Sequence, residues 1–384
     1  MRNVVSVMKM ASISAAGSNP KQIWESYVDG KQKFSLFSAG QEECPSGLLD
    51  VKTISLLKSI RQENDIYEHL DDTVLYALLV SRQLVDKELD TGIIGINFGS
   101  SRGATKSLER HHAYYLENGH CSSKASPSTT LGNISSWVSH DLGIAGPTIS
   151  HSITCSTALH SLLNGIAWLQ SGMSEKFIVG GSESAVTPFT IEQIRALRIY
   201  SKEEGEYPCR ALDISKTRNT MVLGDAASAI LIEDGRQEEA LALISGIGYS
   251  TETLTHSVSI STDAQCFQKS MAMCLEGKDR DIVDAIVLHA PGTKKGDQAE
   301  INAIKNVFGP NLPAMTSNKW CIGHTFGASG LMSLELAIMM ITHNHYIPVP
   351  YLEDQEIPKQ LDNVLVNAVG FGGNAVTVLI SRNK

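Results

Sequence analysis

The chain has 384 residues, 42% of them hydrophobic, enough to bury one large core or two fused ones. Its 32 lysines and arginines stand against 41 aspartates and glutamates, and a net charge of −9 argues against a general nucleic-acid binder, which needs a basic stripe to neutralise phosphates. Seven cysteines, at 44, 121, 155, 209, 266, 274 and 321, form neither a C-x-x-C pair nor a zinc-type cluster, so free thiols in a reducing, cytoplasmic setting are expected, with no span-length apolar run for a membrane.

In chain order, VVSVMKMASIS is too irregular for a secretory leader and reads as a first core strand ending in a Ser/Gly turn. Strand-like runs follow at TGIIGINFG, GPTISHSI, KFIVGGSES, AASAILIED, DAIVLHAPG, NVLVNAVGF and AVTVLISR. Longer helical stretches separate them, among them 161–170 and 331–341. That alternation predicts an α/β protein with sheets buried between helices.

Between GPTISHSI and the helical run that contains Leu159, Leu162, Leu163 and Ile166 lies Cys155, which the spacing puts in the first turn of a mostly buried helix. Unpaired N–H groups and the helix dipole there favour a thiolate, hence a nucleophile. A free cysteine also packs well as a small hydrophobe, so a structural role is the alternative on these residues alone.

An internal echo divides the chain. GDAASAILI (224–232) can be laid over GNAVTVLIS (373–381), and each follows a helix and a hydrophobic strand ending in glycines. Two similar halves, 1–246 and 247–384, are expected, with chance similarity of two Gly-turn-strand units as the competing explanation.

Two histidines sit where strand and turn meet a cleft: His289 after IVL, before a Pro-Gly turn, and His324 between Gly323 and a small-residue helix. His111, His112, His140, His160, His343 and His345 read as structural or surface residues.

The stretches TCSTALHSLLNGIAWLQSG, VLHAPGTKKGDQAE, NKWCIGHTFGASG and NAVGFGGNAVTVLI stand in the order and spacing of the β-ketoacyl-acyl-carrier-protein synthases. The chain resembles these condensing enzymes over essentially its whole length. The resemblance implies a thiolase-like αβαβα layered fold of two similar halves and a decarboxylative Claisen condensation in fatty-acid or polyketide elongation. An acyl group held on Cys155 would react with a malonyl group on an acyl carrier protein. Cys155, His289 and His324 match the family's catalytic triad. Lys319, Glu300 and Asp297 match its active-site polar network, although Lys319 by itself reads as a surface lysine in a loop. Phe371 matches the gate of the acyl pocket, and its N–H with that of Cys155 matches the oxyanion hole. Thr293 matches a residue on the pantetheine arm. No resident cofactor or metal is implied, since the phosphopantetheine arrives on the carrier. The implied partners are that carrier and a second subunit, identical or paralogous, with neither nucleic acid nor membrane. Lys58 and Arg61 are candidates for the carrier's dock, or an ordinary solvated helix face.

Departures from the family pattern gather around the arm and the pocket. Pro291 replaces one of two threonines after the first histidine, Val369 a phenylalanine, Asn374-Ala375 a Thr-Asn pair, and Met221 an aromatic residue. The loop between Asp213 and Gly224 is two residues longer, and trimming is expected between 250 and 275. Ser333 stands where the family has a glutamate, and Glu335, two residues on, is rotated by about 200° on a helix. These changes point to a specialised polyketide or aryl-polyene branch. A thiolase is disfavoured because no cysteine follows Cys321. A non-catalytic, chain-length-determining partner subunit is the alternative function.

Overall fold

The computed structural model describes residues 3–40, 42–85, 93–131, 133–253 and 260–384. Its strands are β1 (Val5–Ile13), β2 (Ser35–Ala39), β3 (Glu42–Ser46), β4 (Ile94–Gly99), β5 (Thr148–His151), β6 (Lys176–Glu183), β7 (Ala226–Asp234), β8 (Ala242–Thr251), β9 (Ala285–Val287), β10 (Ala314–Thr316), β11 (Asn363–Gly370) and β12 (Asn374–Ser381). The helices are α1 (Pro20–Val28), α2 (Val51–Glu63), α3 (Asp72–Arg82), α4 (Thr105–Asn118), α5 (Ala125–Thr129), α6 (Asn133–Leu142), α7 (Thr157–Gln170), α8 (Pro188–Ala196), α9 (Gln265–Cys274), α10 (Lys294–Phe308), α11 (Lys319–Ile322) and α12 (Ser329–His343). All eight strand-like runs of the sequence form strands; the first two residues of TGIIGINFG, and 254–259 of the segment expected to be trimmed, lie outside the described residues.

Two five-stranded sheets carry the fold, ordered β1-β7-β6-β4-β5 and β8-β12-β11-β9-β10. In each, the first two pairings are antiparallel and the last two parallel. The echo thus marks a repeated unit: 224–232 forms β7 and 373–381 forms β12, the second strand of each sheet. The boundary expected at 246 needs correction. It falls inside β8, which pairs with β12 from Leu243 to Thr251, so the halves meet in the connection at 235–241.

Helices α7 and α12 lie between the sheets, each touching strands of both, while α3 and α6 cover the outer face of the first sheet and α9, with α10 beside it, the outer face of the second. This is the αβαβα order. Because α12 is wedged between two apolar sheet faces, it is hydrophobic all round; the run Phe326–His343 is long and apolar enough to cross a membrane, contrary to the sequence reading, yet 89% of it is buried inside the fold.

Candidate active site

The repeat brings the starts of α7 and α12 to the middle of the molecule, and the chemistry-bearing residues gather there. Cys155 lies just ahead of α7, whose N-cap is Ser156, and not in its first turn. The intervening loop is held by Thr157, whose Oγ1 accepts from the Ile153 N–H at 2.8 Å and donates to the Thr154 carbonyl at 2.6 Å. Thr154 Oγ1 donates across to the other half, to the Phe371 carbonyl, at 3.1 Å. This approach requires glycine at 370: a Cβ there would stand 1.8 Å from Thr154 Oγ1 and 3.0 Å from the Cys155 nitrogen.

Burial pushes the Cys155 thiol up to about 12, with the nearby Glu183 adding to it against Lys319 and Arg102. The expected resting thiolate is therefore corrected: desolvation outweighs the favourable helix start, and the group rests as a thiol.

His289 follows β9 by two residues, and its backbone is fixed by Glu300, whose carboxylate accepts from the N–H groups of His289 at 3.0 Å and Ala290 at 2.9 Å. His324 follows α11 and Gly323, and its own N–H donates to the Val222 carbonyl at 2.7 Å. The two imidazole rings stand 5.2 Å apart at 89°, and the Nδ1 atom of each is buried without a hydrogen-bond partner. Burial, then His324 and Lys319, hold His289 well below the usual imidazole range; burial and Lys319 bring His324 down to about 3. Both rings are neutral at physiological pH.

Lys319 is 1% exposed, which excludes the surface reading, and burial lowers its amine to about 8. Its Nζ donates to Asn318 Oδ1 at 2.7 Å and to Ser333 Oγ at 3.1 Å. Glu335 takes no part: turned the other way, as its rotation on α12 predicts, it accepts from Ser12 Oγ at 2.7 Å.

A cavity of about 550 Å³ joins these parts, lined at its base by Cys155, His289, His324 and Glu300 and along its walls by apolar side chains including Ile194, Met221, Phe267 and Phe326. Pro291, Thr293 and the 38%-exposed Phe371 also line it. Thr293 additionally caps α10, its Oγ1 accepting from the Gly296 N–H at 3.2 Å. Asp297 lies apart from the cavity, in a buried ion pair with Lys216 at 2.7 Å and accepting from the N–H groups of Leu212 and Gly292. Arg61 is occupied within the fold, donating to the carbonyls of Glu68 and Leu70 and pairing with Asp72 at 2.7 Å. Sequence reasoning missed Lys216 and Glu183. The latter is fully buried beside the cavity, accepting from the Ser101 and Gly327 N–H groups of opposite halves, and only the acid ending the apolar run KFIVGGSE hinted at it.

Comparison with known proteins gives one consistent picture. Residues 2–238 match the family model described as beta-ketoacyl synthase, N-terminal domain, and residues 241–353 its C-terminal counterpart. A relative from Coxiella burnetii named 3-oxoacyl-[acyl-carrier-protein] synthase 2 is 27% identical over 99% of both chains. Among solved structures, a type II polyketide ketosynthase in complex with its acyl-carrier protein superposes at a TM-score of 0.85 with 18% identity, covering 99% of this chain and 100% of that one. A Xenorhabdus doucetiae ketosynthase in complex with its chain length factor gives 0.82 with 21% identity, covering 99% and 98%.

Proposed function

The chain belongs to the β-ketoacyl synthase family, and from that premise we propose that it is a working condensing enzyme that joins an acyl group on Cys155 to a malonyl group borne by an acyl carrier protein. The observation that carries this reading is the meeting of Cys155 with two neutral, ring-to-ring histidines in one apolar cavity. In the first half-reaction the Cys155 sulfur forms a thioester with the incoming acyl group, and the departing pantetheine sulfur takes the thiol proton. The N–H groups of Cys155 and Phe371 serve the tetrahedral oxyanion; one such donor is typically worth about 10²–10³ in rate.

In the second half-reaction the malonyl C–CO₂ bond breaks and its electron pair passes into an enolate. His289 and His324, each neutral with one N–H, donate hydrogen bonds to the enolate oxygen, a role that the buried cation of Lys319 supports electrostatically. The enolate carbon attacks the Cys155 thioester and expels the sulfur, which regains a proton from solvent, while the β-ketoacyl product stays on the carrier. The chain supplies no cofactor in this scheme, the pantetheine arm arriving past Thr293 and Pro291.

A second subunit belongs to the same reading. β5 ends the first sheet, and α4 leaves Leu108 and Leu116 at 57% and 70% exposure, an apolar face suited to an identical or paralogous partner. Seven free thiols suit a cytoplasmic location. The changes at Met221 and Val369, both of which line the cavity, favour polyketide or aryl-polyene substrates over ordinary saturated chains. Intact-mass measurement after incubation with a panel of acyl-carrier thioesters tests the acyl-transfer step on which the proposal depends. A stable adduct on the wild type, absent from Cys155→Ala, is expected; no adduct with any donor on a folded protein would transfer the assignment to a non-catalytic partner subunit.

A further inference from the structure

A buried ammonium group ordinarily demands a carboxylate, because the cost of removing it from water is offset only by a counter-charge and full hydrogen bonding. Lys319 has neither as a direct partner. Its acceptors are the amide oxygen of Asn318 and the hydroxyl of Ser333, both uncharged and both buried. The remaining groups that act on it do so only through space: Glu300 and Asp297 from α10, Cys209 from the loop ahead of β7, and Cys155 from ahead of α7, while His289 and His324 feel its charge in turn. Glu335, on the same helix as Ser333, is directed to Ser12.

The amide at 318 has a second neighbour. Asn318 Nδ2 acts on the buried Tyr27 hydroxyl, so the amide serves Lys319 with its oxygen and Tyr27 with its nitrogen, whereas an aspartate in the same shape would give Lys319 a charge-assisted bond. The chain thus has an amide where a carboxylate would pair with the lysine's charge.

We propose that Asn318 and Ser333 are positioning residues that hold the buried Lys319 among neutral acceptors, so that the charge of this lysine sets the alkaline limb of carbon–carbon bond formation. This rests on the condensing-enzyme reading above. Loss of the cation removes electrostatic support from the enolate, so turnover falls as pH rises through the lysine's titration, near 8. A carboxylate beside a cation favours the charged form and moves that titration upward, by about one unit or more for a close partner.

The isosteric Asn318→Asp is the test, with Ser333→Asp as a second variant should the first fail to fold. The lysine is followed directly by ¹³C-ε labelled NMR, with Lys319→Met to assign its signal, and kcat/KM for condensation is followed across pH. The expected result is a wild-type midpoint near the value above and an alkaline limb at the same pH, both moved upward together in the aspartate variant, so that at about one unit above the wild-type midpoint the variant retains severalfold more of its maximal rate. An unmoved lysine midpoint, or a moved midpoint with an unmoved kinetic limb, overturns the inference. If Cys155 accepts no acyl group, the functional reading fails instead, while the lysine titration still decides whether the neutral surroundings set its charge.

Discussion

Glu335 offers a test of how this fold treats a charge with nowhere to go. Its carboxyl is 1% exposed on the central helix α12, and Ser12 Oγ at 2.7 Å is its one described hydrogen-bond partner. Burial raises it from 4.5 to about 7. A carboxyl raised in the folded state is neutral on both sides of the unfolding equilibrium below the unfolded value, and it progressively destabilises the protein as pH climbs through the folded one. The difference, about 2.5 units, corresponds to roughly 3 kcal/mol at and above pH 8. Glu335→Gln keeps the shape and the acceptor for Ser12 but cannot ionise. Unfolding free energies from urea titrations of the two proteins at matched concentration should coincide near pH 4.5, diverge through neutrality, and differ by that amount in favour of glutamine at pH 8. A variant no more stable than the wild type at pH 8, or one more stable by the same margin at every pH, would refute the reasoning.

Gly370→Ala should leave the fold intact yet slow acylation of Cys155 by about 10²–10³, since the new methyl group meets backbone at Ile153 and Cys155 as well as Thr154 Oγ1, and β11 must draw back from the nucleophile loop; a time course of adduct mass showing the wild-type rate would contradict this. Lys216→Met should destabilise by about 3–5 kcal/mol in urea unfolding because it strands the fully buried Asp297 carboxylate, and adding Asp297→Asn should recover much of the loss, an outcome that a merely steric effect at 216 would not give.

How far the sequence carried depended on whether a residue's partner lay nearby in the chain. The eight apolar runs became strands because a sheet buried on both faces needs continuous hydrophobic stretches, and the echo of 224–232 in 373–381 identified equivalent strands. β8 escaped notice because Gly246 and Gly248 interrupt its apolar run, and the expected boundary at 246 fell within it. They are glycine for a packing reason: a Cβ at either would stand 2.4 Å from the Cys274 carbonyl oxygen or 2.0 Å from that of Ser270, where α9 lies directly on the strand. Cys155, His289 and His324 were legible as motif residues, and the structure puts them in one cavity. Their supports were not: Glu183 and Gly327 are 144 residues apart, Lys216 and Asp297 81, and no local pattern announces such a pair. The protonation of Cys155 was misjudged because a helix start is visible in sequence and desolvation is not.

The matched strand orders bear on why the cleft can be chemically lopsided. Two separate copies of one half, related by a twofold axis, would present the same side chain twice at their central helix starts, two acyl acceptors or two imidazoles. Tethered in a single chain, each start can diverge: α7 is preceded by a thiol and the segment leading to α12 by a hydrogen-bond donor, while the shared layering keeps them face to face. The architecture separates the requirement for geometric correspondence, which the sheets meet, from the requirement for unlike reactive groups, which only a broken symmetry can meet.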